Sequence, residues 1–330
     1  MKKVQLGKTD VYVTPLAFGA WAIGGWMWGG ADKEDALDAI AASLDMGISS
    51  IDTAPAYGHG LSEELIGEVI KGRRDKVEIL TKYGLRWDTL EGEFFFDTVH
   101  NDGHPVKMHR YASKEGVIWE CEQSLKRLKT DYIDLYQIHW SDPTTPVEET
   151  MEAMDILQQQ GKIRAAGVCN YDVELSKRAA ACITLASNQV SYSMVNRAIE
   201  KEVAPWCIDE DVSILAYSPL QRGLLTGKIT TDYIFEEGDT RPTTPYFSKE
   251  NIYRVNSFLD RIRPMAEDKQ ATLGQLVTAW TLAQPGITVA LVGARNRKQV
   301  TENARAMELS LSSEEVKTIN EFLDQLELKF

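Results

Sequence analysis

The sequence predicts a closed (β/α)8 TIM barrel, and three observations carry that expectation. Strand-like and helix-like segments alternate from residue 16 to the end of the 330-residue chain. The strand-like segments are short continuous apolar runs, as expected of parallel strands buried on both faces. Their spacing also fits, because Asp52 to Lys82 and His139 to Asn170 span 30 and 31 residues, one strand–loop–helix–loop unit each. The whole of residues 1–330 reads as one barrel domain with no linker inside it.

The elements follow in order. VQLGKTDVYVTPL reads as an N-terminal hairpin turning near Gly7 to Asp10, and LAFGA as the first barrel strand. Asp32 to Met46 is helical, with Asp32 as its cap and Gly47 as its stop. ISSID is the second strand, and Ser62 is the expected cap of the next helix. KVEILTK and YIDLYQIH are the third and fourth strands, separated by a helix striped with Ile118, Cys121, Leu125 and Leu128. A helix over 146–160 leads to KIRAAGV, a helix over 172–183 to SNQVSY, and a helix over 200–209 to VSILAYS. A helix over 272–283 precedes the eighth strand, ITVALVG, and the last barrel helix covers 297–307. Ser312 and Glu315 form a capping box for a terminal helix. Residues 84–112 and 221–250 exceed the repeat and read as long loops after the third and seventh strands, on the face where barrels do their chemistry.

Composition narrows the function classes. Lysine and arginine total 36 against 49 acidic residues, so the field of the protein repels nucleic acid and anionic membranes. Any anionic ligand must then be held by local cations or helix N-termini. The four cysteines form no Cys-x-x-Cys pair and no zinc-like set, which suggests free thiols in a reducing cytoplasm. MKKVQLGKTD has no apolar core of a signal peptide, and no stretch is long enough to cross a bilayer. Nothing in the sequence signals an oligomeric state.

Asp52, Lys82 and His139 end three neighbouring strands, so a barrel brings them together, and Tyr57 on the loop after Asp52 can fold over them. Alone, a buried lysine and aspartate would be a structural ion pair, and His139 a core histidine. Together with a phenol they make a proton-transfer site. An ammonium beside Tyr57 is expected to lower its pKa from the ordinary value of ~10, making it a proton donor to a developing alkoxide. His139 can orient the substrate oxygen or relay the proton. His59 reads as a turn residue, and His100, His104 and His109 as solvated loop residues without metal-ligand spacing. No metal set and no activated nucleophile accompanies the cluster, so a cofactor must supply the remaining chemistry.

The other half of the rim suits such a cofactor. Asn170 and Gln189 end neighbouring strands and offer amides to a carboxamide, and Tyr217 offers a ring face. Ser218, Leu220 and Gly223 follow the seventh strand, where barrels commonly bind phosphate. After Gly293, Arg295 stands near a helix start, where it suits a 2′-phosphate, and Gln299 and Asn303 share one helix face that could grip an adenine edge.

These residues together resemble the aldo-keto reductase superfamily. The matching motifs are Asp52-Thr53-Ala54 with Tyr57-Gly58, Thr81-Lys82, and Asp131-Tyr132-Ile133-Asp134-Leu135 with His139. Lys162-Ile163-Arg164 with Gly167-Val168 and Asn170, Tyr217-Ser218-Pro219-Leu220, and Gly293-Ala294-Arg295 with Gln299 and Asn303 complete the set. The resemblance implies a barrel that binds NADP(H), with NAD(H) as the alternative dinucleotide, across its C-terminal face. It matches Asp52, Tyr57, Lys82 and His139 to a catalytic tetrad. It matches Trp21, Asn170, Gln189, Tyr217, Ser218, Leu220, Gly223, Gly293, Arg295, Gln299 and Asn303 to cofactor contacts. Two departures are Cys169, where the family often has serine, and Ala20, where it often has threonine. The implied reaction is hydride transfer between nicotinamide C4 and a carbonyl or alcohol carbon. Trp26, Trp28, Trp87 and Trp140 fall in the strand-to-helix loops and are candidate walls for an aldehyde, ketone or sugar substrate. A cofactor-binding regulatory subunit with little turnover is the alternative; a phosphate-handling isomerase leaves the Gln299/Asn303 face unexplained.

Overall fold

The computed structural model describes residues 2–330. A short antiparallel hairpin, β1 (Val4–Gln5) and β2 (Tyr12–Val13), precedes the barrel. The barrel strands are β3 (Leu16–Gly19), β4 (Ser50–Asp52), β5 (Glu78–Tyr83), β9 (Ile133–Ile138), β10 (Ile163–Cys169), β11 (Leu185–Ser191), β12 (Ser213–Tyr217) and β13 (Ile287–Gly293). All eight are parallel, and β13 pairs back onto β3 to close the cylinder. The intervening β6 (Leu85–Arg86), β7 (Glu93–Val99) and β8 (Pro105–Arg110) form a separate antiparallel sheet in the order β6-β8-β7. Around the barrel run α1 (Lys33–Asp45), α2 (Leu61–Val69), α3 (Lys114–Leu128), α4 (Val147–Gln159), α5 (Val173–Cys182), α6 (Val203–Glu210), α7 (Lys249–Asp268), α8 (Leu273–Leu282), α9 (Arg297–Ala304) and α10 (Ser313–Leu323).

The barrel is a packed core rather than a pore. Ala17, Leu80, Leu135, Ala165, Ala186, Leu215 and Val289 fill its interior, and Leu6, Val11 and Val13 of the hairpin join the same apolar cluster. The hairpin therefore stops the N-terminal end. Its turn needs glycine, because Gly7 has φ +49° and a Cβ there would lie 2.8 Å from Asp211 O. With that end sealed, the cleft opens only on the opposite face. A larger layer of aliphatic side chains lies between strands and helices, with Ile40, Ile66, Val117, Met154 and Leu157 facing inward. Among the described residues no helix is long and apolar enough to cross a membrane.

Four differences from the sequence reading have physical causes. The connection after β5 is not a loop: EFFFDTV and PVKMHR pair across a tight turn, on the outside of the barrel where core burial imposes no pattern. Residues 249–268, which the strand–helix repeat leaves unassigned, form α7, which packs its apolar face on α8 and α10 despite Pro264. The start of α2 is Gly60, not Ser62. Ser62 lies inside the helix, where its hydroxyl donates to Ala20 O at 3.1 Å and sits 2.8 Å from Thr53 Oγ1. α6 begins at Val203, after a 3-10 turn over Ala198–Glu200.

Candidate active site

At the C-terminal face, β4 and β5 place Asp52 and Lys82 at the floor of a cleft. Lys82 is wholly buried, and an ammonium so placed must use all three of its donors. Its Nζ donates to Asp52 Oδ1 at 2.7 Å, to Thr53 O at 2.8 Å and to the Tyr57 hydroxyl at 3.2 Å. The other Asp52 oxygen accepts from Gln189 Nε2 at 2.7 Å, so the buried carboxylate is satisfied from both sides. The His139 ring, at the end of β9, lies edge-on to Tyr57 with centroids 5.6 Å apart. The four residues singled out from sequence thus converge, and Gln189 joins them.

The electrostatics differ from expectation at Tyr57. Burial pushes its phenol above the ordinary value; Lys82 pulls against this, while Asp52 adds to it. The ammonium alone was expected to lower that pKa, but its charge is largely spent on Asp52, so the pair presents a weak net field to the phenol. Tyr57 is therefore a neutral donor at physiological pH. Burial works against a charged Lys82, yet Asp52 and its other neighbours hold its pKa above normal, so it remains an ammonium. Burial, and then Lys82, drive the His139 imidazole well below its usual range, so it is neutral.

Tyr57 is fixed by close backbone contact. Gly58 has φ +67°, and a Cβ there would lie 2.4 Å from Gly24 O; one on Gly24 would lie 2.8 Å from Tyr57 C and O. The loop of Gly24, residues 20–32, and the loop of Tyr57 are pressed together with no side chain between them.

The cleft has a volume of about 640 Å³, within the usual range for ligand pockets. Asp52, Tyr57, His139, Asn170, Gln189, Tyr217, Ser218, Leu220, Gly223, Gly293, Arg295, Gln299 and Asn303 all line it, as do Trp21, Trp26, Trp28 and Trp140. Trp87 does not: its ring packs on His59 at 5.3 Å, and Phe95 and Phe96 of β7 line the cleft. His109, expected in solvent, is 6 % exposed and packs on Phe94, because β8 turns it inward. His100, Asp102 and His104 come together at the β7–β8 turn, although the sequence reading found no metal set among these histidines.

The two amides are already engaged. Asn170 has φ +59°; its Nδ2 donates to His139 O at 3.1 Å and its Oδ1 accepts from the Tyr217 hydroxyl at 2.9 Å. Tyr217 is thereby locked with its ring against the cleft. Cys169 makes no side-chain hydrogen bond among the described residues, in keeping with a thiol in place of a hydroxyl. At the far end, Asn303 Nδ2 donates to Gly293 O at 3.2 Å and Gln299 Oε1 accepts from Arg295 N at 2.8 Å. Arg297 is spent on Asp38, 2.7 Å away, whereas Arg295 has only the Gly30 carbonyl, at 2.8 Å.

Arg222 is the residue that sequence reading missed. It stands after β12 in a run of left-handed backbone, Gln221, Arg222 and Gly223. Its guanidinium lies 5.2 Å from the Trp21 ring and 5.0 Å from the Trp28 ring. It donates to Thr240 Oγ1 and Met27 O, and among the described residues it pairs with no carboxylate and keeps its buried Nε without a partner. Burial pulls its pKa down to about 10. A guanidinium left so poorly compensated in a cleft fits an anionic ligand, as a dinucleotide's phosphates would provide. The one signal in sequence was its position, within the Ser218–Gly223 segment already read as a phosphate-binding loop.

Comparison with known proteins agrees with this geometry. The aldo/keto reductase family model matches residues 15–324. The aldo-keto reductase YhdN of Bacillus subtilis is 39 % identical over 98 % of this chain and 94 % of its own length. The NADH-specific methylglyoxal reductase of Escherichia coli is 36 % identical over 99 % of this chain and all of its own. A glycerol dehydrogenase from Gluconobacter oxydans superposes with a TM-score of 0.87 at 35 % identity, covering 98 % of this chain and 95 % of that one. Barrel, cleft and relatives agree: this chain belongs to the aldo-keto reductase family of oxidoreductases, which work with nicotinamide cofactors.

Proposed function

We propose that the protein is an NADP(H)-dependent reductase of aldehydes, ketones or sugar carbonyls, running in reverse as an alcohol dehydrogenase, with Tyr57 as general acid and base. One observation carries the reading: the Tyr57 hydroxyl stands 3.2 Å from an ammonium whose other donors are fixed, at the floor of an aromatic cleft. When bound, the nicotinamide supplies the hydride in reduction and accepts it in oxidation. The chain does the rest. Tyr57 gives its proton to the carbonyl oxygen as negative charge builds there. Lys82 stabilises the phenolate left behind, and Asp52 and Gln189 hold Lys82 in place. Neutral His139 positions the oxygen against Tyr57. Asn170 and the free face of Gln189 hold the carboxamide, Tyr217 stacks on the ring, and Ser218, Leu220, Arg222 and Gly223 hold the phosphates. Gly293, Arg295, Gln299 and Asn303 hold the adenosine end, and Trp21 closes the cleft above Tyr57.

Arg295 favours the 2′-phosphate of NADP(H), because its one side-chain partner is a neutral carbonyl. NADH is the competing dinucleotide, since the E. coli relative is named as NADH-specific. Small polar carbonyls suit the relatives named for methylglyoxal and glycerol, and Trp26, Trp28, Trp140, Phe95 and Phe96 give such substrates flat apolar walls. The free cysteines suit a reducing cytoplasm.

The test is a panel of aldehydes, keto-sugars and polyols, each with NADPH or NADH, or the oxidised forms for alcohols. Tyr57→Phe should lower turnover by about 10²–10⁴-fold while leaving dinucleotide affinity near that of the parent. Turnover by Tyr57→Phe close to the parent's would sink the reading.

A further inference from the structure

The turn between β7 and β8 carries a cluster that the proposed reaction does not use. His100 and His104 flank it, His100 N donating to His104 O at 2.8 Å, and Gly103 at φ +95° closes it. Their rings stack with centroids 4.7 Å apart. Between them Asp102 turns its carboxylate inward, 3.1 Å from His100 Nδ1 and in hydrogen-bond contact with His104 Nδ1. One ligand atom from each of the three lies within 4.8 Å of the others. A tetrahedral ion with bonds of about 2.0–2.1 Å spaces its ligand atoms roughly 3.3 Å apart, so small side-chain rotations suffice.

A second observation points the same way. His59, two residues beyond Tyr57, stacks on His100 with centroids 4.3 Å apart. Both of its ring nitrogens are buried and neither has a hydrogen-bond partner among the described residues. Orphaned imidazole nitrogens in a buried setting are costly and ask for an explanation. Two imidazoles and one carboxylate, with a third imidazole packed alongside, suit zinc, nickel or copper rather than calcium or magnesium.

We infer that His100, Asp102 and His104 form a binding site for a divalent transition-metal ion, with His59 as the imidazole that can complete its coordination. The site would be structural. Asn101, within the same turn, already donates to Gly58 O at 2.9 Å and Gly24 O at 3.3 Å, so the turn rests on the two loops that fix Tyr57. Phe95 and Phe96 of the same hairpin line the cleft, and Trp26 Nε1 donates to Thr98 Oγ1 at 2.9 Å. An ion shared by the turn and His59 would clamp the hairpin and its aromatic wall against the Tyr57 loop.

Equilibrium dialysis of the full chain, free of any affinity tag, against Zn²⁺ tests this directly, with amide hydrogen exchange as a second readout. The expected result is one Zn²⁺ per chain and slower exchange across residues 93–110. His104→Ala and Asp102→Asn, both at exposed positions, should each weaken uptake about tenfold or more and abolish the slowing. His59→Ala should weaken it less than His104→Ala does. A rise in melting temperature of about 4 °C is expected at a hundredfold excess of Zn²⁺ over its dissociation constant. No uptake at 100-fold molar excess, equal uptake by His104→Ala, or loss that follows Cys182→Ser instead would each overturn the inference. So would a larger effect of His59→Ala than of His104→Ala, which would displace the turn triplet as the primary ligands.

Discussion

The floor of the cleft and its far rim treat charge in opposite ways. At the floor, every donor of Lys82 is used, and both oxygens of Asp52 accept hydrogen bonds from groups within the chain. At the rim, Arg222 keeps a buried nitrogen without a partner, and Arg295 rests on a lone carbonyl. A network that is complete in itself can tune a neighbour, here Tyr57, without waiting for a ligand. Groups left incomplete lose little by exchanging their weak partners for phosphate oxygens. On the proposed function, the difference separates the residues that act from the residues that hold.

Breaking the floor should have the largest effect. Lys82→Met leaves the Asp52 carboxylate buried beside a single amide, and such orphaned charges cost about 3–5 kcal/mol. Urea unfolding should show that loss together with a fall in turnover of at least about a hundredfold. Unchanged stability would mean that the ion pair does not organise the floor. Arg222→Met comes next: loss of charge-assisted hydrogen bonds should weaken dinucleotide binding about tenfold to a hundredfold, measured by quenching of the nearby Trp21 and Trp28. Stability should fall less than for Lys82→Met, because the side chain's partners are a hydroxyl and a carbonyl and no buried charge is left behind. Arg295→Ala should act more weakly and selectively, raising the dissociation constant for NADPH about three- to tenfold while leaving NADH within about twofold. Equal losses for the two would remove the case for the 2′-phosphate.

The smallest expected effect is one of pH. His139 is held neutral by burial and Lys82, and Tyr57 stays protonated because its pKa is raised. A donor with a raised pKa keeps its proton as pH rises, until that raised value is reached. Reduction should therefore run flat from about pH 6 to about pH 9, with activity lost only at higher pH. Oxidation, which needs the phenolate, should climb over the same range. A clear inflection near pH 6.5 in the reductive kcat/KM would show a titrating His139 and undo the assignment of a neutral imidazole.

What the sequence revealed and what it hid follow from where constraint lies. ISSID, VEILTK and YIDLYQIH were legible because strands buried on two faces are mostly apolar, and a reactive side chain stands at the end of each run. The barrel then brought Asp52, Lys82 and His139 together by count alone. The β7–β8 hairpin was hidden because it lies outside the barrel and packs only a small cluster, Met108, Phe95 and Phe96 with Trp26 and Leu85, too small to impose a regular alternation on its sequence. Trp87 looked like a pocket wall only because its loop was taken as unstructured; Phe95 and Phe96 hold that position through strand pairing. Gln189 was read as a carboxamide ligand, and its role beneath Asp52 depends on a contact across 137 positions of sequence. The direction of the Tyr57 pKa was missed for a related reason: proximity to Lys82 is visible in sequence, but the cost of burying the phenolate is not.

The contact between Gly24 and Gly58 has a consequence for redesign. Gly24 lies on the loop that also carries Trp26 and Trp28, so the chain segment that shapes the cleft wall is in direct backbone contact with the one that carries the proton donor. A change of loop length or a bulky residue near Gly24, introduced to admit a different carbonyl compound, would push on Tyr57 at the same time. Selectivity and rate are thus geared together in this protein. The hairpin wall is tied into the same gearing, since Phe96 stacks on Trp26 at 6.2 Å and Asn101 at the hairpin turn donates to both Gly24 O and Gly58 O.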